Sequence, residues 1–463
     1  MKRFLIVLLV AICFSSLRGN AQELKTFSPD PAKFLQELTE VFQKVGDNDA
    51  KEAKEILATF SFDWNAGLLS NDQLLAVNQT CNKLLERKLK VVPFYSDYLA
   101  TVTLFVRRNL DKKNQYAFNK GVDFYLQAKS TILLANYLKR SRDLLENYAL
   151  FSTHTNSWKC REAIFTFSFD TIPVVVFSSA NLVCQLNKDS INIYKTSGHF
   201  FPAIDIWRGN GGIVYWDQAG LSHEDAFAEL SGYSILLSKT YFTADSVIFH
   251  YKKFFKRPLP GKLSEKVMVD ISVEKASYPQ FTSYIPNLII ENVFKGIDYE
   301  GGFSIEGARV IGSGINNTVA TISIKRKGRP QMVLHSKDFI IRPDRILSQR
   351  TSVAMYFEGD SIYHPGLQIK YSDANREIVL MRGDEGLSQS PYFDSYHKVN
   401  IYTEAIYWAL DSDVISMEMI RGLNRTSEAT FESMDYYSEN RIDKLQGIDE
   451  VNPANIVLNY VRK

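Results

Sequence analysis

The most constraining feature of this sequence is a change in hydrophobic period near residue 155. Before that point apolar residues recur at the three- and four-residue spacing of an amphipathic helix, and after it they alternate with polar residues. Side chains repeat about every 3.6 residues on a helix but point to opposite faces in turn on a strand. The chain is therefore predicted to be an α+β protein, with an α-helical domain over residues 22–155 and a β-rich region over residues 156–425.

The helical domain is predicted from apolar stripes and from capping residues. Asp30 followed by Pro31 has the form of an N-cap with proline in the first turn, and Ser70 with Gln73 has the form of a capping box. A last helical stretch around 116–148 brings the expected number of helices to five. Short connections between amphipathic helices favour a bundle or an α-solenoid fragment.

The β-rich region is predicted from alternation, which is clear at 165–169, 267–273 and 415–419. Such alternation is typical of strands with one buried and one wetter face. Glycine- and asparagine-containing turns separate the strands, and helical patterns between them are rare, with 223–230 as the best exception. These features argue against a parallel α/β sheet and favour stacked antiparallel sheets, a jellyroll or a β-solenoid.

The last segment, residues 426–463, is predicted to contain a short helix. Asn452 before Pro453 has the form of another N-cap, and apolar residues follow at 456–458 and at Val461. An apolar helical stripe needs a surface to pack on. We therefore expect that this helix folds back on the β-rich region or that the native chain is longer.

The amino terminus, residues 1–21, has the form of a secretory signal peptide. Lys2 and Arg3 precede an unbroken apolar run over 4–14, and the small residue Ala21 suits signal-peptidase cleavage. The mature chain would then begin at Gln22 and be exported to the periplasm, the outer membrane or the cell surface. No later stretch reaches the roughly 18 apolar residues of a membrane-spanning helix, so no transmembrane helix is expected in the mature chain.

Charge and cysteine content exclude two further classes of protein. A net charge of +2 over 463 residues is too balanced for a nucleic acid to be the main partner. Of four cysteines, Cys13 lies in the apolar run, and the three that remain are an odd number, which cannot form a disulfide framework. Cys160 and Cys184 could form a disulfide in an oxidising compartment, or could be buried as small apolar residues.

A three-residue motif, Asp followed by a hydroxyl residue and an aliphatic residue, occurs four times in the β-rich region. Its hydroxyl residues are Thr171, Ser190, Ser246 and Ser361, and the last three motifs are each predicted to begin a strand. One interpretation is turn chemistry, because Asp and Ser hydrogen-bond to nearby backbone where a strand begins. The other is modification, because the motif resembles the O-glycosylation sequon of exported Bacteroidetes proteins, and attachment would require exposed hydroxyls.

Two tryptophans and two aspartates flank a glycine-rich run at 208–212. They are Trp207, Trp216, Asp205 and Asp217, and the run itself is predicted to be a hairpin turn because it lacks the residues of a phosphate loop. The tryptophans could pack against each other across the hairpin. Alternatively, an aromatic ring beside a carboxylate could bind a sugar, or the paired acids could cleave a glycoside.

No other chemistry is indicated by the sequence. The seven histidines show no metal-ligand spacing, and no Gly-x-Ser-x-Gly nucleophile motif occurs. His223, Glu224 and Asp225 suit the first turn of a predicted helix better than a metal site. The sequence therefore predicts no catalytic residue, no metal site and no cofactor.

Several of these features together resemble those of large exported cell-envelope proteins of Bacteroidetes. The resemblance rests on the Asn20-Ala21-Gln22 signal ending, the Asp-Ser-aliphatic motifs and the Asp-Tyr-Glu-Gly-Gly-Phe segment at 298–303. The strand pattern over about 160–425 is also similar to that of the β-jellyroll modules of lipopolysaccharide-transport proteins, which form an open groove.

The resemblance implies an envelope protein and carries over no functional residue. The expected role is structural or binding, with an envelope protein or a glycan as partner. An amphiphile- or glycan-handling β-groove is the first alternative. A carbohydrate-active enzyme is the second.

Overall fold

The computed structural model describes residues 24–314, 318–421, 424–435 and 453–462. The predicted signal peptide lies outside these residues. Helices come first in the described chain and a long antiparallel β region follows, which confirms the fold class predicted from the change of period. Within the described residues, no helix combines the length and apolar content needed to cross a bilayer.

Two compact units divide the chain, and their boundary differs from the predicted domain boundary. One unit ends at Ile213 and also includes Ser231–Phe242, whereas the other includes Val214–Leu230 and the described chain from Thr243 onward. Residue 155 therefore marks a change of secondary structure within the first unit.

Capping residues determine where the helices of the first unit begin, as predicted. Asp30 Oδ1 accepts a hydrogen bond from the backbone N of Lys33 at 2.9 Å, and the Ser70–Gln73 capping box is present. An irregular turn at Val91–Tyr95, in which Val92 is extended (φ −102°, ψ 127°), precedes the fourth α-helix. The helices are α1 (Pro31–Phe42), α2 (Asp47–Asn65), α3 (Asn71–Glu86), α4 (Ser96–Arg107), α5 (Lys112–Gln127) and α6 (Thr131–Asn147).

The stretch predicted as one helix over 116–148 is two helices. Lys129 adopts a left-handed conformation at φ 55°, which ends α5, and the side chain of Ser130 then accepts a hydrogen bond from the backbone N of Leu133. Serine caps a helix readily because its hydroxyl satisfies a free N–H of the first turn.

The strands follow in chain order. The first ten are β1 (Ala149–Ser152), β2 (Asn156–Phe169), β3 (Pro173–Leu186), β4 (Asp189–Phe201), β5 (Ile206–Asn210), β6 (Ile213–Tyr215), β7 (Ala226–Glu229), β8 (Gly232–Leu236), β9 (Tyr241–Tyr251) and β10 (Leu259–Lys266). The next eight are β11 (Gln280–Ser283), β12 (Leu288–Phe294), β13 (Ile297–Glu306), β14 (Arg309–Ser313), β15 (Ala320–Arg326), β16 (Arg329–Ser336), β17 (Asp338–Arg342) and β18 (Arg345–Phe357). The last are β19 (Asp360–Ser372), β20 (Glu377–Met381), β21 (Tyr392–Asp394), β22 (Val399–Tyr402), β23 (Ala405–Ala409), β24 (Ser416–Arg421), β25 (Asn424–Ser427) and β26 (Thr430–Ser433).

In the first unit, the helices cover an antiparallel sheet. Its strands pair in the order β1, β2, β3, β4, β5 and β8. Phe105 of α4 and Phe118 of α5 pack edge-on against Phe167 of β2, with ring centroids 5.0 and 6.1 Å apart. All three rings are buried, so the predicted alternation of β2 places its apolar face under the helices.

In the second unit, long strands exchange partners along their length. The first half of β13 pairs with β12 and β15, and its second half pairs with β11 and β14. A glycine permits this packing, because a Cβ on Gly312 would lie 2.4 Å from the ring of Tyr299. Strands that leave one set of neighbours for another are a means of joining stacked antiparallel layers.

Two predicted elements of the second unit are absent. The strand predicted from the alternation at 267–273 does not form, and β10 ends at Lys266. The backbone N of Met268 donates to the side chain of Gln218 at 3.0 Å instead of to a neighbouring strand, and Asp270 is left-handed at φ 53°. The helix predicted at 223–230 is instead a turn followed by β7, whose pairing with β9 outweighs the local helical pattern.

The β region also extends beyond residue 425, because β26 pairs with β22 as far as Ser433. A helix, α7 (Pro453–Val461), follows as predicted, and its Asn452 N-cap lies outside the described residues. The apolar side chains of α7 from Ile456 to Val461 are half to fully exposed.

Candidate binding site

The structure buries both tryptophans that were predicted as sugar-binding candidates. Trp207 and Trp216 are each 0% exposed, so neither ring offers a face to a ligand. Trp207 donates from Nε1 to the hydroxyl of Tyr233 at 3.3 Å and packs edge-on against Phe177. Trp216 packs on Phe249 at 4.7 Å, and its Nε1 is buried without an acceptor among the described residues.

The predicted hairpin around the glycine-rich run is also wrong. β5 pairs with β4 and β8, and Ile213 of β6 pairs with Tyr194 of β4. Trp207 therefore lies opposite Phe200 and Ile235, which excludes the predicted cross-strand pair with Trp216.

The two predicted acids belong to different units and have different partners. Asp205 accepts from Nε of Arg140 at 2.7 Å in a largely buried ion pair of the first unit. Asp217, in the second unit, lies 2.5 Å from Nε2 of His223 and is 41% exposed. The structure therefore provides no support for Asp205 as a catalytic or sugar-binding group, because its carboxylate is committed to Arg140.

Four aromatic side chains near Asp217 form a surface that we call the ring surface: His223, which is exposed, and Tyr215, Phe227 and His250, which are half-buried. The imidazole of His223 stacks on Tyr215 with ring centroids 3.8 Å apart, and the imidazole of His250 stacks on Phe227 at 4.3 Å. Both stacks are nearly parallel, at 9°. Tyr215 and Phe227 are 6.3 Å apart, which makes the two stacks neighbours.

Strand alternation produces this surface. Ala226 and Ala228 of β7 are fully buried, so Phe227 and Glu229 point to the outer face of the sheet. β7 pairs with β9 so that Phe227 lies directly opposite His250. Side chains in such a position lie close enough to stack.

A tight loop returns His223 to Tyr215. A 3₁₀ turn at Asp217–Ala219 ends at Gly220, whose φ of 66° is one that glycine adopts readily. The backbone N of Leu221 then donates to the carbonyl of Trp216 at 3.3 Å. The turn itself is indicated by a local residue, Gly220, whereas a side chain of the turn, Gln218, contacts a residue far away in sequence, Glu265.

Carboxylates lie beside both ring stacks. Asp217 hydrogen-bonds to His223, and Oε1 of Glu229 lies 3.4 Å from Nε2 of His250. The side chains of Asp217, His223 and Glu229 are between 41% and 53% exposed, whereas His250 is 26% exposed. Aromatic rings beside exposed hydrogen-bonding acids can bind a ligand that has both an apolar face and hydroxyl groups.

A buried carboxyl group, Glu265, anchors the loop of the ring surface. Nε2 of Gln218 donates to Oε1 of Glu265 at 2.7 Å and to the carbonyl of Lys266 at 2.9 Å. Glu265 is 2% exposed, and burial raises its pKa well above the ordinary value. Neither Gln218 nor Glu265 was predicted, because their contact joins residues far apart in sequence.

Of the two alternatives for Cys160 and Cys184, the structure agrees with burial as small apolar residues and not with a disulfide. Cys160 and Cys184 are free and buried, and burial raises the pKa of both thiols to about 12. Their strands pair with Cys160 opposite Leu182 and Trp158 opposite Cys184, so the two cysteines are diagonal neighbours. A diagonal separation of roughly 7 Å is too long for a disulfide, whose Cβ atoms lie about 4 Å apart.

The hydroxyl residues of the repeated motif differ in position. Thr171, Ser190 and Ser246 are exposed, and Ser361 is half-buried. Asp189 and Asp360 each begin a strand directly after a two-residue hairpin turn, which agrees with the turn interpretation. Asp245 instead lies within β9, where Ser246 is left-handed at φ 61°, so that motif does not begin a strand.

Metal binding has no support in the part of the chain that the structure describes. No group of three or more His, Cys, Asp or Glu side chains there could hold a metal ion. Among the described residues, the side-chain partners of the two imidazoles are carboxylates: Asp217 for His223 and Glu229 for His250. Comparison with protein-family models, with curated proteins and with solved structures gave no match to this chain.

Proposed function

We propose that the protein is an exported cell-envelope protein whose second unit binds a glycan at the ring surface. The observation that carries this proposal is that an exposed acid lies beside each of the two stacks of partly exposed rings. Asp217 hydrogen-bonds to His223, and Glu229 lies 3.4 Å from His250. Sugars present C–H faces that pack on rings and hydroxyl groups that donate to carboxylates. The ring surface offers both kinds of contact within one pair of strands and one loop.

The binding test uses the mature chain, Gln22–Lys463, on an array of bacterial surface polysaccharides, followed by calorimetry with the glycan that is retained. Phe227→Ala should weaken binding at least tenfold, because it removes the ring under His250. Tyr284→Ala is the matched control, since Tyr284 is a 53% exposed ring outside the ring surface. Retention of no glycan, or equal weakening by both variants, would contradict the proposal.

The second candidate function is glycoside hydrolysis, favoured by one observation. Burial raises the pKa of Glu265 well above its ordinary value, and the charge of the nearby Asp217 raises it further. Two carboxyl groups in environments that favour different protonation states can act as acid and base. Cleavage of the bound glycan by the wild type but not by Glu265→Gln, read by mass spectrometry, would support this candidate. An intact glycan would exclude it.

Export and modification are proposals supported by the signal-like amino terminus and by three exposed motif hydroxyls. We expect the intact mass of the protein from its native envelope fraction to be at least that of the chain from Gln22 to Lys463. Additional mass in sugar-sized steps would support glycosylation at Thr171, Ser190 or Ser246. An unprocessed amino terminus would contradict export through this signal.

A further inference from the structure

A pocket in the first unit has a composition unlike that of the ring surface. We call it the Arg108 pocket. Its volume is about 410 Å³, within the range of small-molecule sites. Its lining contains a single charged residue among apolar ones. The residues are Arg108, Leu110, Tyr148, Ala163, Ile164 and Phe165.

A bulge in β2 supplies the apolar wall. Arg161 pairs with Asn181 and Ile164 pairs with Ser179, so β2 contains an extra residue between these pairs. Glu162 within the bulge is left-handed at φ 49°, and Ile164 is 66% exposed. Bulges redirect side chains near binding sites, and this one turns a large apolar side chain toward solvent at the pocket.

Arg108 supplies the positive charge among the described lining residues of the pocket, and a ring and a carbonyl hold it in place. Its guanidinium lies over the ring of Tyr148, 4.7 Å from the centroid, and its Nη2 donates to the carbonyl of Glu146 at 3.2 Å. Among the described residues Arg108 forms no ion pair, and the carboxylate of Glu146 pairs with Arg142 instead. Tyr148 itself adopts a left-handed conformation at φ 54°, which is unusual for a bulky residue.

We propose that the Arg108 pocket binds a monocarboxylate with an unbranched alkyl chain, such as a medium-chain fatty acid. One guanidinium matches one carboxylate in charge and in its two parallel hydrogen bonds. The apolar residues on the remaining walls would cover the chain. This site is independent of the ring surface and does not rest on the proposed glycan binding.

The first test measures binding of hexanoate, octanoate and decanoate to the mature chain by calorimetry. Affinity should rise about fourfold for each added methylene until the chain exceeds the pocket. Octanol should bind at least tenfold more weakly than octanoate, because it lacks the charge that pairs with Arg108. Absence of saturable binding, equal affinity for octanol, or tighter binding of octyl phosphate would overturn the proposal.

The second test uses variants that separate charge from apolar contact. Arg108→Gln should weaken octanoate binding at least tenfold and leave octanol binding unchanged, whereas Ile164→Asn should weaken both. The matched controls are Arg161→Gln and Ile132→Asn, which alter an exposed arginine and an exposed isoleucine outside the pocket. Wild-type affinity in Arg108→Gln with an unchanged melting temperature would contradict the assignment.

Discussion

The two units differ in how they hold their buried polar groups. In the first unit these groups include charges in ion pairs, such as Arg140 with Asp205 and Arg142 with Asp97. In the second unit burial raises the pKa of Glu265 well above its ordinary value and lowers that of His364 to about 4, so burial disfavours the charged form of both. Asp394 is an exception, because it is buried and pairs with His397 at 2.8 Å.

The difference follows from what helices and sheets bring together. Helices place long side chains from distant parts of the chain beside one another, so an arginine can reach a carboxylate on another element. The sheet interior of the second unit contains compact hydrogen bonds instead, as among the hydroxyls of Ser336, Ser348 and Thr351. We therefore expect the first unit to be sensitive to loss of a charge partner and the second to pH.

The largest effect is expected for Arg140→Ala. Arg140 is 9% exposed and pairs with both Asp205 and Asp143, so its removal leaves two partly buried carboxylates without a cation. Breaking a buried pair costs about 3 kcal/mol or more. Urea unfolding at pH 7 measures this loss.

A control and a second variant make that expectation specific. Lys83→Ala breaks the more exposed pair with Asp123 and should cost less than about 1 kcal/mol. Adding Asp205→Asn to Arg140→Ala should recover part of the loss, because the carboxylate left unpaired becomes neutral. Equal losses in the two single variants would mean that burial does not determine the cost of losing a charge partner in the first unit.

An intermediate effect is expected for His364 at acid pH. Nε2 of His364 bonds to the carbonyl of Ser390 at 2.9 Å, and Nδ1 accepts from the backbone N of Gly366 at 3.0 Å. Between pH 6.5 and 4 the unfolded chain binds a proton that the folded chain excludes, so stability falls as pH falls. His364→Gln should reduce this acid loss by about 2 kcal/mol, measured by urea unfolding at pH 4.5 and 6.5. An identical pH profile in the variant would contradict the burial of a neutral imidazole.

Most of the fold could be predicted because its signals are local. Asp30 before Pro31 and Ser70 with Gln73 act within one helical turn, and the alternation of 165–169 reports one strand at a time. The prediction was wrong at 267–273, where alternation is present but the side chain of Gln218 accepts a hydrogen bond from the backbone N–H of Met268. Local pattern does not reveal a competing partner 50 residues away.

The candidate site was predictable only in part, for the same reason. Alternation along β6 and the residue after it indicates which ring faces solvent. Val214 and Trp216 are buried and Tyr215 lies between them, so the pattern predicts that Tyr215, and not Trp216, points to the outer face of the sheet. The position of His250 beside Phe227 depends on the register of β7 with β9, which no local pattern contains. Asp217 was identified, but its partner His223 was assigned to a helix that does not form.

The smallest expected effect, that of Glu265→Gln, tests the second unit in the opposite direction. Above about pH 4.5 the unfolded chain releases a proton that the folded chain retains at Glu265, so stability falls as pH rises. Glutamine keeps an acceptor for Gln218 and for the backbone N of Lys266 but does not titrate. The variant should therefore gain stability relative to the wild type as the pH rises from 4 to 7, measured by urea unfolding at both values. A variant that is destabilised equally at both pH values would mean that Glu265 is charged in the folded protein. The second unit would then hold a buried charge, as the first unit does, and the difference between the two units would disappear.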